Sequence, residues 1–204
     1  MKTRVGLLAT VLLVSGCVTP LSDADRTPAI SKAPQGSLSV GVLDRREKIV
    51  LGGKKDTWEG LGHGVYGIPY YHHTRSKLPV ATYLAQMIAR GFEARNARVT
   101  VIKLPPAGPP DAAKAKVTSA GTNRALLVVL KNWYVDYGNT SIELFYDADV
   151  TVFDAQGRSV AFKNFEGSEV TEFGLMTSYY DQIEKAHKKR LQAILADYTI
   201  AAPL

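Results

Sequence analysis

The sequence contains a single cysteine, Cys17, and only four histidines among its 204 residues. One cysteine cannot form an internal disulfide, so the fold must be stabilised by its core. The Gly-x-Ser-x-Gly motif of serine hydrolases, the P-loop and the dinucleotide fingerprint are all missing, which leaves no recognised catalytic motif. No basic stripe interleaved with aromatic residues is present, so we expect no nucleic-acid partner.

The composition is that of an ordinary globular protein. Hydrophobic residues make up 46% and charged residues 22% of the sequence, so the chain as a whole is not disordered. The length suits one well-buried core once a leader is removed. A net charge of +6 is mild and is compatible with adhesion to anionic lipid headgroups.

The N-terminus has the layout of a secretory signal. Lys2 and Arg4 precede an apolar run from Val5 to Val14, and that run is too short for a membrane-spanning helix. We therefore expect residues 1–16 to be a signal peptide that is removed from the mature protein.

The segment Val14-Ser15-Gly16-Cys17 resembles the lipobox of bacterial lipoproteins. The resemblance implies cleavage before Cys17, attachment of diacylglycerol to its sulfur, and acylation of the new amino terminus by a fatty acid such as palmitate. Val18 stands where an inner-membrane sorting signal has Asp, which implies anchoring in the outer membrane, facing the periplasm. The alternative is an ordinary cleaved signal in which Cys17 is incidental.

The mature chain divides into two parts. Residues 17–37 are rich in Pro, Ser, Ala and charge and have no apolar period, which is typical of a flexible tether after the lipidated cysteine. Residues 38–204 carry regular apolar patterns, and we expect them to form a single periplasmic domain.

Apolar spacing within this domain predicts eight elements. They are a strand from Leu38 to Asp44, a helix from Pro79 to about Asn96, a strand near Val99 to Ile102, a short helix from Ala112 to Ser119, strands around Leu126 to Leu130, Ile142 to Val152 and residues 158–170, and a helix from Tyr180 to Tyr198. The predicted fold is therefore α+β, with helices on one face of a mainly antiparallel sheet of about five strands. Two main helices and one short helix pack on it in the order β-α-β-α-β-β-β-α.

Two short motifs carry a family resemblance. The strand "VGVLDRR" ends in Asp and Arg, and the segment "YLAQMIARGFEARNARV" joins a helix to a strand. With the lipobox and the long meander, these motifs resemble the YajG-type group of Gram-negative outer-membrane lipoproteins. A wider similarity, to envelope-transport auxiliary lipoproteins and the amino-terminal domain of TolB, implies the same fold but not the same function. These groups offer no catalytic residues to transfer.

The candidate functional segment is "GLGHGVYGIPYYHH", residues Gly60 to His73, inside a long connection that we expect to be a loop. Large aromatic side chains on a Gly-containing loop are common where proteins bind partners. The residues that we predict to contact a partner are Trp58, His63, Tyr66, Tyr70, Tyr71, His72 and His73. The alternative is a loop that packs back over the sheet.

Three other groups of residues are weaker candidates for chemistry. His63 could bind zinc with either His72 or His73, which would point to opposite sides of an extended chain, together with Asp56 and Glu59. Their spacing matches no known zinc site, so we expect neither a metal nor a cofactor. Asp147 and Asp149 share one outward strand face and are more typical of a solvated edge. His187 is expected at the rim of the apolar face of the last helix.

These features favour a lipid-anchored, non-enzymatic accessory protein that docks another envelope component, a protein before lipid or glycan, through the Gly/Tyr/His segment. The first alternative is an auxiliary of lipid or lipopolysaccharide transport that holds an acyl chain against the apolar sheet face. The second is a metal-dependent envelope enzyme. The identity of the partner and the oligomeric state stay open.

Overall fold

The computed structural model describes residues 21–34, 36–173 and 178–204. The predicted signal peptide and Cys17 lie outside these residues. The strands are β1 (Ser37–Asp44), β2 (Trp58–His63), β3 (Pro69–His73), β4 (Arg98–Ile102), β5 (Arg124–Tyr137), β6 (Ser141–Asp154) and β7 (Ser159–Glu172). The α-helices are α1 (Asp23–Arg26), α2 (Glu47–Val50), α3 (Val80–Glu93), α4 (Pro110–Thr118), α5 (Tyr179–Ala196) and α6 (Tyr198–Ala201).

All seven described strands belong to one mixed sheet, which is built around the long strand β5. On one edge of β5, its first half pairs with β1 and its last residues pair with β2, both in parallel. On the other edge, β5 pairs with β6 and β6 with β7, both antiparallel. Strand β4 extends the sheet beyond β1, and β3 extends it beyond β2.

The α+β class is confirmed, but the prediction of a mainly antiparallel sheet of five strands is wrong. The described residues form a mixed sheet of seven strands with six α-helices. Strands β4 and β5 are joined through α4 and both run parallel to β1, because a helix crossover returns the chain in the same direction. The β5–β6–β7 meander is antiparallel, as the sequence predicts.

The two strands that were not predicted lie in the segment expected to be a loop. Strands β2 and β3 form an antiparallel hairpin there. Glycine disfavours strands, yet two glycines of β2 are required by close approach. A Cβ on Gly60 would lie 1.9 Å from the carbonyl oxygen of Val135, and one on Gly62 would lie 2.3 Å from the Tyr137 ring.

Helices cover both faces of the sheet, whereas the sequence predicts helices on one face. Alternate residues of β1 and β5 point to opposite sides. Leu38, Val40 and Leu126 belong to the large core under α3 and α5. Leu43 and Leu127 belong to a smaller core under α4, which covers only part of the opposite face. We call this second, half-covered side the outer face.

The C-terminal helix ends earlier than its apolar pattern suggests. Helix α5 stops at Ala196, and Asp197 adopts an extended conformation with φ −60° and ψ 131° before α6 begins. Tyr198 is therefore turned away from the core and is 85% exposed. Its predicted place on the apolar face of α5 is wrong.

Part of the segment predicted as a flexible tether packs on the domain. Arg26 of α1 forms an ion pair with Glu184 of α5, with Nε and Oε2 2.7 Å apart. Ile30 is buried in the large core, and its carbonyl accepts a hydrogen bond from Arg95. The described residues 21–34 thus belong to the folded body, because Ile30 supplies an apolar contact that the composition of the segment conceals.

Candidate functional site

The seven residues predicted to bind a partner all lie on the β2–β3 hairpin, but they do not form one surface. Trp58 and His72 are buried, at 2% and 6% exposure. His73 is partly buried and its Nδ1 lies 2.9 Å from the Thr57 hydroxyl. Since neighbours on a strand point to opposite sides, His72 and His73 are separated as their adjacency predicts. His63 is half-exposed, and its Nε2 lies 2.8 Å from Asp136.

A buried polar network joins the base of the hairpin to α5. Oε1 of Glu59, on β2, lies 2.8 Å from His187 Nε2, and its Oε2 lies 3.3 Å from His72 Nδ1. The indole Nε1 of Trp133 donates to His187 Nδ1 over 3.1 Å. His187 is fully buried, so its predicted place at the rim of α5 is wrong.

This network fixes the protonation of His187. An indole N–H can only donate, so His187 Nδ1 must be the acceptor and its proton must sit on Nε2, facing Glu59. Burial raises the pKa of Glu59, but the hydrogen bonds from His187 and His72 outweigh burial and lower that pKa to about 2. Glu59 is therefore an ionised carboxylate held between two imidazoles.

A second group of buried polar contacts, centred on the Asp44–Arg46 pair, lies where β1 ends. Arg46 pairs with Asp44 through two hydrogen bonds of 2.8 and 2.7 Å. Its remaining N–H groups donate to the carbonyls of Trp58 at 2.8 Å, Trp133 at 3.0 Å and Asp56 at 3.4 Å. All five guanidinium donors are used, so this Asp–Arg pair fixes the start of β2 against β1 and β5.

The tip of the hairpin exposes apolar and aromatic side chains. Tyr66 is 95% exposed and adopts a left-handed backbone conformation with φ 70°. Ile68 is 65% and Tyr71 is 60% exposed. Tyr70 is 44% exposed and accepts a hydrogen bond of 2.6 Å from the buried hydroxyl of Tyr137. We call Tyr66, Ile68, Tyr70 and Tyr71 the hairpin tip.

The outer face beside the tip carries stacked aromatic rings, and lysine side chains lie close to these rings. Tyr134 lies between Trp58, with ring centroids 5.9 Å apart, and Phe145, at 4.9 Å. Lys48 Nζ lies 5.1 Å from the Trp58 ring centroid. A groove of 540 Å³ runs from Trp58 past Leu61 and Lys54 to Pro69 and the tyrosines of β3.

Lysine side chains lie close to the base and side of the hairpin. The ammonium group of Lys54 lies 3.2 Å from the Tyr71 ring centroid and lowers the pKa of that phenol. Burial lowers the pKa of His73, and the charges of Lys77, His72 and Lys55 lower it further. The lowered pKa of Tyr71 reflects the positive charge of Lys54, whereas the lowered pKa of His73 is due first to burial.

The other candidates from the sequence have structural explanations. Asp147 and Asp149 do share the outer face, where Lys131 Nζ lies 3.1 and 3.0 Å from their carboxylates and Asn164 donates to both. Lys131 reaches them from a bulge between Leu130 and Asn132. Among the described residues, no group of three or more His, Cys, Asp or Glu side chains is placed to hold a metal ion.

Sequence reasoning missed the structural roles of Glu59, Trp133 and Asp44 with Arg46. A signal was present for the last pair, because "LDRR" places charges directly after a strand whose residues are all buried from Leu38 onward. A charged pair at the end of a buried strand has to find internal partners. Glu59 and Trp133 gave no such signal, since their partner His187 is distant in the sequence.

The chain has distant structural similarity to several solved proteins. No family model matches the chain, and neither does any curated protein. A Xanthomonas campestris protein of family DUF330 is 14% identical, covers 86% of this chain and 89% of its own, and has a TM-score of 0.49. PelC from Paraburkholderia phytofirmans, crystallised as a dodecamer, is 13% identical over 81% of this chain and 91% of its own, with a TM-score of 0.40. The Neisseria meningitidis lipoprotein GNA1162 is 10% identical, and the match covers 78% of this chain and 98% of GNA1162 with a TM-score of 0.34.

At these identities and TM-scores, the similarities establish neither a family nor a function. A lipoprotein is among the similar chains, but the YajG-type group in particular is not confirmed. Within the described residues, no helix has both the length and the hydropathy needed to cross a bilayer.

Proposed function

We propose that this chain is a lipid-anchored, non-enzymatic accessory protein of the bacterial envelope that binds another envelope protein through the hairpin tip. Acylated Cys17 would hold it at the periplasmic side of the outer membrane. The observation that carries the proposal is the cluster of exposed apolar side chains at the tip, led by Tyr66 at 95% and Ile68 at 65% exposure. Large apolar side chains that are exposed together at one end of a hairpin are typical of an interaction surface.

The rigid base of the hairpin supports binding at its tip. Glu59 connects β2 to His72 of β3 and to His187 of α5, and Tyr70 is hydrogen-bonded to buried Tyr137 of β5. A hairpin whose base is already fixed loses less conformational entropy on association, which favours affinity. The partner would therefore meet a preformed surface instead of a loop that has to fold on binding.

Charge indicates the chemistry of the partner. Lys48, Lys54, Lys55 and Lys77 form no ion pair with any carboxylate of the described residues. Complementary potentials steer association and select partners. We therefore propose a partner protein with an apolar pocket for Tyr66 and Ile68 and an acidic rim that faces these lysines.

The buried histidines support a non-enzymatic role. His187 and Glu59 have the hydrogen-bond arrangement of an acid–base pair, but His187 is fully buried and Glu59 is 3% exposed. A general base must be within hydrogen-bond reach of its substrate. Both polar atoms of the His187 ring are also already engaged, one by Glu59 and one by Trp133.

The acyl-transport alternative has less support. It requires a free apolar sheet face, whereas the apolar face of β1 and β5 is packed against α3 and α5. Leu38, Val40 and Leu126, which would contact an acyl chain there, are all fully buried.

The proposal is tested by removing the tip side chains together in the full chain, as Tyr66→Ala, Ile68→Ser and Tyr71→Ala. We expect the yield of a specific crosslink to one envelope protein to fall at least tenfold, with unchanged circular dichroism and melting temperature. The matched control is Phe162→Ala with Val170→Ser on β7, whose side chains are 60% and 57% exposed. Equal loss in both variants, or loss in neither, would rule out the hairpin tip as the contact.

A further inference from the structure

A second concave site lies on the helical side of the molecule, away from the hairpin tip. It has a volume of 210 Å³ and lies between α1, the residues after β3, α3 and α5. Three guanidinium groups line it, from Arg26, Arg75 and Arg90. These residues come from three separate segments of the chain, so the fold itself brings them together.

Two of these arginines are held in place by carboxylates of α5. Arg26 Nε lies 2.7 Å from Glu184, and a terminal nitrogen of Arg75 lies 2.7 Å from Asp181. Arg90 differs, because it pairs with no carboxylate in the described part of the chain and its Nε is buried without a hydrogen-bond partner there. A guanidinium has five N–H donors and no acceptor, so Arg90 has donors to offer a ligand.

Tyr83, which also lines this site, has a buried hydroxyl. Tyr83 is 8% exposed, and its hydroxyl has no hydrogen-bond partner among the described residues. Burial raises its pKa, and the charges of Glu184 and Glu59 raise it further, so the phenol keeps its proton. A buried polar group without a partner is rare in folded proteins and costs stability. An acceptor in this site would satisfy it.

We propose that the pocket between Arg90, Tyr83 and Arg75 binds a phosphate group. The planar fork of an arginine matches two phosphate oxygens, and the Tyr83 hydroxyl can donate to a third. The carboxylates of Asp23 and Glu184 also border the pocket, and both lie within 3.8 Å of Arg26. Arg90 and Tyr83 are therefore the donors left for the phosphate.

The surroundings favour the phosphate of a lipid headgroup over a free phosphate ion. Arg90 also borders an adjoining groove of 430 Å³, whose lining includes the apolar side chains of Ala24, Pro28 and Ile30. A headgroup phosphate at Arg90 would place its glycerol and acyl part beside this apolar groove. A free phosphate would use only the polar pocket.

Chain length adds to this argument. Ser22, which caps α1, follows Cys17 by five residues, and such a segment spans at most roughly 17 Å. A lipidated Cys17 would therefore hold the pocket close to the bilayer surface. The closeness of the pocket to the bilayer rests on the lipid anchor of the proposed function. The hydrogen-bond donors in the pocket are independent of that anchor.

The test is calorimetric titration of the full chain in dodecyl maltoside and a phosphate-free buffer. One probe is inorganic phosphate and the other is dihexanoylphosphatidylglycerol. We expect Tyr83→Phe and Arg90→Gln each to weaken binding at least tenfold. Tyr83→Phe should leave the melting temperature unchanged or higher, because it removes an unpaired buried hydroxyl. Arg158→Gln, at an exposed turn, is the matched control and should stay within twofold.

The two probes separate the possible sources. Binding of the lipid at least tenfold more tightly than inorganic phosphate assigns the site to a headgroup, and equal binding assigns it to a free phosphate. Absence of saturable binding of either probe, or equal binding by Tyr83→Phe and the unaltered chain, would overturn the proposal. The tip variant Tyr66→Ala, Ile68→Ser, Tyr71→Ala should bind both probes normally, so failure of the docking function would not affect this result.

Discussion

His187 Nε2 of α5 donates a hydrogen bond of 2.8 Å to Glu59 of β2, with both side chains buried. This contact joins the last long helix to a hairpin on the opposite edge of β5 from the meander. Trp133 of β5 sets the tautomer of His187 from the other side of the ring. The hairpin is therefore held to the folded body by polar contacts as well as by strand pairing.

Removing the Glu59 carboxylate should weaken this connection. Glu59→Ala leaves His72 and His187 without their buried acceptor and should lower the free energy of unfolding by about 3–5 kcal/mol. Glu59→Gln keeps an acceptor oxygen and should cost less. Urea unfolding at pH 7 measures both. An alanine variant as stable as the unaltered chain would show that the network does not stabilise the fold.

The same carboxylate predicts a pH dependence. Its pKa is lowered from 4.5 to about 2 in the folded state, so its contribution to stability is complete above pH 4.5. That contribution is lost as the pH falls from about 4.5 toward about 2, because the unfolded chain then binds a proton more readily. The difference in stability between the unaltered chain and Glu59→Gln should shrink over this range. A constant difference from pH 7 to pH 3 would contradict the assignment.

Arg46 should not tolerate replacement by lysine. Lys has three donors on a flexible stem and cannot replace five fixed guanidinium donors that serve Asp44 and three carbonyls. Arg46→Lys should therefore lower the free energy of unfolding by about 2–3 kcal/mol. The matched control is Arg158→Lys, whose exposed pair with Asp154 should change it by about 0.5 kcal/mol or less. Similar effects of the two substitutions would show that the buried Asp44–Arg46 pair does not stabilise the fold.

Gly60 should be irreplaceable for steric reasons. An added Cβ would lie 1.9 Å from the Val135 carbonyl oxygen, so Gly60→Ala should separate β2 from β5 and cost about 3 kcal/mol or more. A Cβ on Gly138 meets nothing within 4 Å, and Gly138→Ala should change stability by about 1 kcal/mol or less. Thermal unfolding of the two variants checks the parallel pairing of β2 with β5.

Periodicity predicted those elements whose apolar spacing is intact. Helix α3 was recognised because Val80, Leu84, Met87 and Ile88 recur on one face, and the meander because its strands alternate. The β2–β3 hairpin was missed because Gly60 and Gly62 replace the strand-forming residues that would have indicated it.

The buried position of His187 could not be predicted from the sequence, because it depends on a long-range polar contact. A histidine within an apolar helix face is compatible with a rim position as well as with a buried partner. Glu59, the residue that decides between them, is 128 positions away from His187. Of the residues predicted to bind a partner, Tyr66, Tyr70 and Tyr71 are exposed, whereas Trp58 and His72 are buried.

The lipid anchor is tested by Cys17→Ala in the full chain. The substitution removes the sulfur that would carry diacylglycerol, so the protein should move from the membrane fraction to the soluble fraction of the envelope. Immunoblotting of separated fractions measures this. Retention of Cys17→Ala with the membranes would contradict lipidation at this residue.

Docking through the hairpin tip is tested most directly by a photo-crosslinking amino acid placed at position 66 in living cells, with position 162 on β7 as the matched site. Both positions are highly exposed, at 95% and 60%. Docking through the tip predicts a discrete crosslink to one envelope protein from position 66 and none from position 162. A crosslink from position 162 alone, or none from position 66, would contradict it.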